Sequence, residues 1–241
     1  MEPMKEKRGT FFGVGVGPGD PDLITVKALK IIKACPVIAA PRTGNGEMVA
    51  LNIVWRTGIQ SEDEDDKKIL AMDFTMDKDP EKRKENYRKN ADAAAKYLDR
   101  GKDVAMVTLG DVSLYSTVRY IADELTSRGY EIAMIPGVPS FSAAAASLAI
   151  PLAEMDEPVH IIPAVSGNSE EYLDLPGTKV LMKAGRHLHR TLDELDRRGL
   201  LGSTSLAVNC GMEDEILFKK LGDDEPLPDK TGYFTTIIVR D

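Results

Sequence analysis

The sequence predicts an α/β protein with two α/β domains, at residues 1–137 and 138–241. In the first part of the chain, short apolar runs alternate with helix-like stretches, which is typical of a mostly parallel sheet. After Ser140 the order changes, because a helix of small residues precedes strand-like runs with helices between only some of them. This second pattern predicts a mixed sheet of the α+β type. Glycine or proline follows several of the apolar runs and marks the strand ends.

The first strand and helix are the best-marked elements. Residues 10–16 are mainly apolar and end among glycines, as expected of a buried strand. Asp20 and Pro21 are the residue types of a helix N-cap and first turn, so we expect one helix from there to about Ala34. The next strand should end at Pro41. Further helices are expected at 47–59, 77–99 and 114–127, and strands at 36–40, 68–72, 103–108 and 131–135.

The second part of the chain has fewer helices. One is expected at 141–148, where the residues are small, and another at 186–198. Two acidic runs, 62–66 and 223–225, are interpreted as solvated segments. Strands of the second part are expected at 159–163, 179–183, 205–209 and 235–239.

The charge balance excludes some classes of partner. Lys and Arg number 31 and Asp and Glu number 39, a formal net charge of −8, which argues against nucleic-acid binding because such proteins carry a basic face. The chain starts without the apolar core of a signal peptide. Its longest weakly polar stretch, 141–153, is too short to cross a bilayer. We therefore expect a cytoplasmic protein that does not bind a membrane.

The cysteines and histidines do not form a metal-binding pattern. Cys35 and Cys210 are far apart in sequence, so we expect two buried free thiols rather than a disulfide framework or a metal site. His187 and His189 are two residues apart on a predicted helix and should point to different faces. We therefore expect them to be surface or half-buried histidines.

A glycine-rich turn at residues 13–20 is the strongest single candidate for a ligand site. Its glycines would let a ligand approach the backbone, and a following helix N-terminus favours negative groups. A dinucleotide site fits poorly, because the spacing is G-x-G-x-G-x-G and Pro18 lacks the N–H that a phosphate would use. Arg42 could still serve a 2′-phosphate, so an NADP site remains open, as does a tight turn without a ligand.

Four further segments place small or acidic residues after strands. Residues 108–116 follow a strand at the sheet edge where ligands of parallel sheets collect, although Asp111 is also a residue type that caps helices. Residues 135–143 suit either a flat ligand or the packing of a helix on a sheet. The segments 181–186 and 208–213 are strand ends that lead into glycine turns.

Taken together, these motifs resemble those of the tetrapyrrole methylases of cobalamin and sirohaem synthesis, which use S-adenosylmethionine. The resemblance runs from Gly13 to Val239 and includes the G-x-G-P-G-D start, the Leu-Gly-Asp turn, the Pro-Gly-Val-x-Ser segment and the late glycine turns. One departure is Val112, which stands where the family usually has proline, so a looser turn is expected there. Within the family, segments 39–44, 108–117 and 140–145 are most similar to members that methylate C20 of precorrin-2 or cobalt-factor II.

The resemblance also implies an architecture and a set of cofactor contacts. It implies an active site in the cleft between two α/β domains, a homodimer, a tetrapyrrole substrate, and S-adenosylhomocysteine as the product of the cofactor. The residues that match the family's cofactor-binding motifs are Pro18, Gly110, Asp111, Val112, Leu114, Ser140, Phe141, Ala184, Gly211 and Met212, with Thr235 and Thr236 as weaker matches.

The implied reaction is displacement of a sulfonium methyl by a meso carbon of the macrocycle. Because the methyl donor is already activated, alignment is the main task of the protein. The sequence identifies no base for the proton of the methylated carbon; Tyr115 is a weak catalytic candidate that core packing would explain equally well. The cations that could bind substrate carboxylates, or simply lie on the surface, are Arg42, Lys183 and Arg186.

Three hypotheses follow. The first is methylation at C20, the second is methylation at another carbon by a different member of the same family, and the third is a nucleotide-binding α/β protein. Whether the substrate already carries cobalt is left open by the sequence.

Overall fold

The structure is a computed structural model that describes residues 7–59, 67–75, 77–164, 170–222 and 234–240. The chain divides into two compact units, Met1–Val138 and Pro139–Asp241. Each unit contains a five-stranded sheet together with helices, so the predicted α/β class is confirmed. A domain boundary at residue 137 stays a prediction. The acidic runs at 62–66 and 223–225 lie outside the described residues.

The first unit has a wholly parallel sheet. Its strands are β1 (Thr10–Gly15), β2 (Val37–Arg42), β3 (Lys68–Asp73), β4 (Val104–Thr108) and β5 (Glu131–Ile135). They lie in the order β3-β2-β4-β1-β5, so all five carboxyl ends share one edge of the sheet. The helices described in this unit are α1 (Val26–Ala34), α2 (Val49–Arg56), α3 (Pro80–Leu98) and α4 (Val118–Ser127).

Apolar side chains cover both faces of this sheet. Strand β4 is buried along its whole length, as expected of a central parallel strand. On one face Val14 and Val107 pack in a cluster with Ile32 of α1 and Val54 of α2. The opposite face has a second cluster, which includes Phe11, Met106, Leu98 of α3 and Ile121 of α4. Each such buried side chain contributes about 1.5–3 kcal/mol relative to exposure, so the sheet is a firm base for the loops at its carboxyl edge.

The first helix begins later than predicted. Asp20 accepts a hydrogen bond from the Asp22 N–H, but it caps only a short 3-10 helix, Pro21–Leu23. The α-helix starts again at Val26, where the Thr25 hydroxyl accepts from the Ala28 N–H at 3.1 Å. The prediction of one helix from Asp20 was therefore wrong, because a second N-cap residue follows the first and the chain bends between them.

Pro41 does not end the second strand, which also differs from the prediction. Strand β2 pairs with β4 only as far as Ala39, but it pairs with β3 up to Arg42 and Asp73. Beyond Ala39 the strand has a neighbour on one side only, so a residue without an N–H is tolerated there.

The second unit has the predicted mixed sheet. Its strands are β6 (Val159–Pro163), β7 (Thr178–Met182), β8 (Thr204–Val208), β9 (Ile216–Phe218) and β10 (Thr235–Val239), in the order β6-β7-β10-β8-β9. Only the pair β6–β7 is parallel. The helices described here are α5 (Ser140–Ser147) and α6 (Leu188–Arg197). Leu188 and Leu195 of α6 pack in a cluster with Leu181, Leu206 and Ile237 of the sheet.

Three features of the chain differ from the predicted elements. Strand β9 was not predicted, and it contains only three residues. Helix α6 begins at Leu188 because the preceding residues, Ala184–His187, form a 3-10 helix. Helix α4 begins at Val118, whose N–H donates to the Ser116 hydroxyl at 3.2 Å. Within the part of the chain that the structure describes, no helix combines the length and apolar character needed to cross a bilayer.

Candidate functional site

Backbone hydrogen bonds join the loops that follow β1 and β4 at the carboxyl edge of the parallel sheet. The Val16 N–H donates to the Thr108 carbonyl at 3.0 Å, which continues the sheet pairing by one residue. Gly17 and Gly110 then form a reciprocal bridge, with N···O distances of 3.3 and 2.7 Å. The glycine-rich turn and the Leu-Gly-Asp turn are therefore one connected structure, which the sequence motifs alone did not reveal.

The Asp111 carboxylate extends this connection to the loop after β5. One oxygen accepts from the Ser113 N–H at 2.8 Å and also from the Ser113 hydroxyl. The other oxygen accepts from the Gly137 N–H at 2.9 Å. Burial acts to raise the pKa of this carboxyl, but the hydrogen bonds from Ser113, Gly137 and Val112 outweigh burial and lower the pKa. Asp111 is thus an ionised acceptor that holds two loops together.

The glycines of these loops are needed for close backbone packing. A Cβ on Gly15 would lie 2.6 Å from the Gly110 carbonyl oxygen, and a Cβ on Gly137 would lie 2.3 Å from the same atom. These two positions are filled by the protein's own backbone, so Gly15, a glycine of the 13–20 turn, makes room for the chain itself and not for a ligand. Gly110 itself has φ of 66°, a conformation that favours glycine.

The residues around this turn divide into buried and exposed positions. Pro18 and Val112 are buried; Val112 is 8 % exposed. The turn that proline would fix is therefore held instead by burial of Val112 and by the bonds of Asp111. Leu114 is half-buried. Pro18, Gly110, Asp111 and Val112 all lie in this one connected loop region.

Tyr115 has an unusual backbone conformation for a bulky residue. Its φ is 51°, in the left-handed region, and the residue is 41 % exposed. Burial of the hydroxyl raises the pKa of Tyr115. The phenol is consequently protonated at neutral pH, so it can donate a hydrogen bond but is poorly suited to act as a base.

In the second unit, three chain segments meet at one edge of the mixed sheet. Strands β7 and β8 flank β10 and are both antiparallel to it, so their carboxyl ends lie beside its first residues. The register pairs Thr235 with Val208 and Thr236 with Met182. The Thr236 hydroxyl is 3.4 Å from the Ser140 hydroxyl, at the start of α5. The structure therefore brings Ser140, the two threonines and both late glycine turns together.

The turn after β8 is held by acidic side chains that the sequence analysis did not single out. The Gly211 N–H donates to a Glu215 carboxylate oxygen at 2.6 Å, and the Asn209 side-chain amide donates to Asp214 at 2.7 Å. The Met212 N–H donates to the Asn209 carbonyl at 2.9 Å. Asn209 has φ of 51° and Gly211 has φ of 76°. A glycine turn followed by acids, Gly-Met-Glu-Asp-Glu, is the local signal that could have indicated this arrangement.

The turn after β7 contains two of the other predicted site residues. Lys183 is half-buried and has φ of 60°. Ala184 is completely buried in the apolar cluster of the second sheet. Phe141, at the start of α5, is 9 % exposed. The side chain of Arg186 lies outside what the structure describes, while His187 and His189 are exposed.

Arg42, the remaining predicted cation, lies at the carboxyl end of β2. It forms a two-point ion pair with Asp73 at the end of β3. The hydrogen bonds of this pair raise the pKa of Arg42 and lower the pKa of Asp73. Asp73 had no signal in the local sequence, because only the pairing of β2 with β3 places it beside Arg42.

The thiols are as predicted: Cys35 and Cys210 are both buried, and they do not form a disulfide. Among the described residues, no group of three or more His, Cys, Asp or Glu side chains is placed to hold a metal ion.

Comparison with known proteins identifies the class to which this fold and these loops belong. Residues 10–224 match the family model of the Tetrapyrrole (Corrin/Porphyrin) Methylases, and the chain is a member of that family. The resemblance inferred from the motifs is thereby confirmed.

Individual relatives narrow the comparison. The chain is 34 % identical over 221 residues to a Methanocaldococcus jannaschii protein named "Probable cobalt-precorrin-2 C(20)-methyltransferase", covering 88 % of this chain and 91 % of that one. It is 31 % identical over 239 residues to the cobalt-precorrin-2 C(20)-methyltransferase of Salmonella typhimurium, covering 96 % of each chain.

A solved structure shares the fold. The uroporphyrin-III C-methyl transferase of Thermus thermophilus, complexed with S-adenyl homocysteine, has a TM-score of 0.68 and 19 % identity, covering 97 % of this chain and 98 % of that one. This likeness confirms the two-sheet α/β architecture.

Proposed function

We propose that this protein transfers a methyl group from S-adenosylmethionine to C20 of precorrin-2 or cobalt-factor II during corrin-ring synthesis. The observation that carries the proposal is the identity of 31–34 % to relatives with that named activity, over at least 88 % of this chain. The named activity of those relatives is consistent with the segments 39–44, 108–117 and 140–145, which resemble the C20 members of the family.

The cofactor proposal is supported by the chemistry of the loops. S-adenosylmethionine carries a positive sulfonium and ammonium, together with ribose hydroxyls and an adenine ring. The turn after β8 supplies carboxylates at Glu213, Asp214 and Glu215, and the hydroxyls of Ser140 and Thr236 lie together nearby in the same unit. These groups fit such a ligand. The residues that we propose for its contacts are Pro18, Gly110, Asp111, Val112, Leu114, Ser140, Phe141, Ala184, Gly211 and Met212.

Two residues of that list, Ala184 and Phe141, would not contact the cofactor through exposed side chains. Both side chains are buried, so a ligand would meet their backbone or the surface that they support. Gly211 and Met212 already donate their N–H groups within the turn, and the Met212 carbonyl accepts from the Glu215 N–H at 3.2 Å. The Gly211 carbonyl and the Met212 side chain are left for a ligand.

When bound, the cofactor supplies a sulfonium methyl that a nucleophilic macrocycle carbon can displace directly, with S-adenosylhomocysteine as the second product. The task of the chain is to align the reactants, and well-oriented geometry can contribute up to about 7–11 kcal/mol. The hydrogen bonds among Gly17, Gly110, Asp111 and Gly137 fix the loops before any ligand binds, so little reorganisation is needed. Tyr115 is a candidate donor to the macrocycle, and Arg42, Lys183 and Arg186 are candidate partners of its carboxylates.

We further infer a homodimer located in the cytoplasm. The dimer is supported by the resemblance to the family alone. A gel-filtration measurement with light scattering would give the mass in solution, and a mass near 26.4 kDa would contradict the dimer.

Two experiments test the function. Calorimetric titration with S-adenosylhomocysteine tests cofactor binding, and absence of binding at high micromolar concentration would leave a different α/β ligand-binding role. Mass spectrometry and NMR of the product made from precorrin-2, and in parallel from cobalt-factor II, test the site of methylation. A new methyl group anywhere but C20 would contradict the primary proposal. Comparison of turnover with precorrin-2 and with cobalt-factor II decides whether the substrate carries cobalt.

A second family activity is the alternative. The chain is also 34 % identical to a Mycobacterium tuberculosis precorrin-4 C(11)-methyltransferase, but over only 143 residues and 58 % of this chain. Methylation at C11 would be the outcome that favours this alternative.

A further inference from the structure

We propose that Asp73 is a positioning residue for the substrate, because it holds Arg42 so that the free edge of the guanidinium can take a carboxylate of the tetrapyrrole. This inference rests on the proposed function, which supplies a substrate with several carboxylate side chains. It adds a residue, Asp73, that the family motifs did not indicate.

The two side chains are fixed against each other at the ends of neighbouring strands. Arg42 and Asp73 are Cα partners in the parallel pairing of β2 with β3. The Arg42 Nε donates to one Asp73 carboxylate oxygen at 2.7 Å, and Nη2 donates to the other at 2.5 Å. Two parallel N–H···O bonds of this kind fix the plane of the guanidinium as well as its distance.

This pairing leaves the other edge of the guanidinium accessible. Arginine has five N–H donors, and the pair uses one on Nε and one on Nη2. The edge formed by Nη1 and Nη2 has no partner among the described residues, and the Arg42 side chain is 43 % exposed. That edge has the same two-donor geometry, so a second carboxylate can bind to it in the same bidentate manner.

The backbone on both sides of the pair is also held. The Asp73 carbonyl accepts hydrogen bonds from the side-chain amides of Asn86 and Asn90 on α3, each at 2.9 Å. The loop after Arg42 is closed by the Thr43 N–H, which donates to the Glu47 carbonyl at 2.8 Å. Arg42 has therefore lost most of its conformational freedom before a ligand arrives, which lowers the entropic cost of binding.

The pair lies at the same edge of the parallel sheet as the loops that follow β1 and β4. Strand β2 is the neighbour of β4, and their last pair is Ala39 with Met106. Arg42 lies three residues after Ala39, and Leu109, the residue before Gly110, lies three residues after Met106. Arg42 is thus at the carboxyl edge of the parallel sheet, where ligands of such sheets bind.

Two other roles for Asp73 make different predictions. If the pair were only a surface ion pair, its loss would change stability little and leave substrate affinity unchanged. If Asp73 competed with the substrate for Arg42, its removal would lower the KM for the tetrapyrrole. A positioning role requires the opposite, a higher KM.

The test is steady-state methyl transfer by the full chain with Asp73→Ala, Asp73→Asn, Arg42→Ala and the double variant Asp73→Ala/Arg42→Ala. We expect Asp73→Ala to raise the KM for the tetrapyrrole about fivefold to tenfold, with kcat within twofold and the affinity for S-adenosylhomocysteine unchanged. Asp73→Asn keeps one acceptor oxygen and should have an intermediate effect. The double variant should be no worse than Arg42→Ala, because Asp73 acts through Arg42.

Asp99→Ala is the matched control. Asp99 also pairs with an arginine, Arg8, at a similar exposure, but Arg8 precedes β1 at the opposite end of the sheet. This variant should leave the KM for the tetrapyrrole unchanged. An unchanged or lower KM in Asp73→Ala, or equal effects of Asp73→Ala and Asp99→Ala, would overturn the proposal.

The result for Asp73 can be distinguished from the result for the proposed C20 methylation. If the wild-type chain methylates a carbon other than C20, the KM comparison still decides the role of Asp73. If it transfers no methyl group, the dissociation constant of cobalt-factor II, followed by absorbance, replaces KM: a fivefold or greater loss of affinity in Asp73→Ala supports the proposal, and equal affinity overturns it.

Discussion

The Gly137 N–H donates to the Asp111 carboxylate at 2.9 Å, and this single bond joins the turn after β4 to the loop after β5. The two residues are 26 positions apart in sequence. Gly137 also packs so closely on the Gly110 carbonyl that no side chain fits between them. The shape of the loop region thus depends on the Asp111 carboxylate and on the close approach of Gly15 and Gly137 to the Gly110 carbonyl, which leads to the first two predictions.

Asp111→Ala should weaken the binding of S-adenosylhomocysteine at least about tenfold, or 1.4 kcal/mol, because Gly137 and Ser113 lose their acceptor and the turn loosens. Isothermal titration calorimetry measures this. Asp79→Ala is the matched control, since Asp79 also accepts an N–H two residues ahead, at 2.9 Å, but at the start of α3. Equal affinity of Asp111→Ala and wild type would show that Asp111 only caps its own turn.

Gly137→Ala should lower the free energy of unfolding by about 1–3 kcal/mol, because the new Cβ would lie 2.3 Å from the Gly110 carbonyl oxygen and the backbone would have to shift. Urea unfolding measures this change. Gly44→Ala is the control, since a Cβ at Gly44 meets nothing within 4 Å, and its effect should stay within about 0.5 kcal/mol. Similar losses for both variants would contradict the close packing described for Gly137.

Tyr115→Phe should lower kcat about tenfold or more without changing the affinity for S-adenosylhomocysteine, because the protonated phenol is a donor and not a base. Tyr115→Gly should lower kcat as well. It should not lower the free energy of unfolding, because glycine adopts the left-handed conformation without the cost of about 1–2 kcal/mol that a non-glycine residue has there. Ala149→Gly, at φ of 53°, is the strain control and should leave kcat unchanged. Wild-type turnover by Tyr115→Phe would assign the residue to packing.

Stability should fall in alkaline solution in a way that depends on Cys35. Burial raises the pKa of this thiol from 9.0 to about 12; the charge of Asp103 adds to the effect and that of Lys67 opposes it. The unfolded chain releases this proton near pH 9, whereas the folded chain retains it until about pH 12. Its contribution to stability is therefore complete below pH 9 and is lost as the pH rises toward 12.

Urea unfolding of wild type and Cys35→Ala at pH 8 and pH 10.5 checks this. The alkaline loss of free energy should be smaller in the variant than in the wild type. Parallel losses would mean that other groups cause the alkaline effect.

Local patterns were enough to predict most of the sheet. A buried parallel strand has a short continuous apolar run, and β4 was recognised in this way. Strand β9 was missed because three residues carry too little periodicity to recognise. The start of α1 was misplaced because Asp20 and Thr25 are both good N-cap residues, and only the packed structure decides which one begins the α-helix.

The site was predictable as a set of motifs but not as a set of contacts. Asp111, Gly137 and Gly211 all lie in segments singled out from the sequence, but the bond between Asp111 and Gly137 was not predicted and Glu215 was not singled out. The pairing of Arg42 with Asp73 requires the register of β2 on β3, which no local pattern contains. Cross-strand geometry therefore accounts for the pairing of Arg42 with Asp73, whereas the contact of Gly211 with Glu215 had a local signal that was not used.

The central place of β10 in the second sheet affects how that unit can fold. Residues 235–239 pair with β7 on one side and with β8 on the other, although they follow both strands in the chain. During synthesis, the edges of β7 and β8 that pair with β10 stay unpaired until residues 235–239 have been made. Such late, long-range pairing slows folding and leaves strand edges available for association with other chains. Substitutions that weaken residues 235–239 should therefore reduce the yield of folded protein more than they reduce the activity of the molecules that do fold.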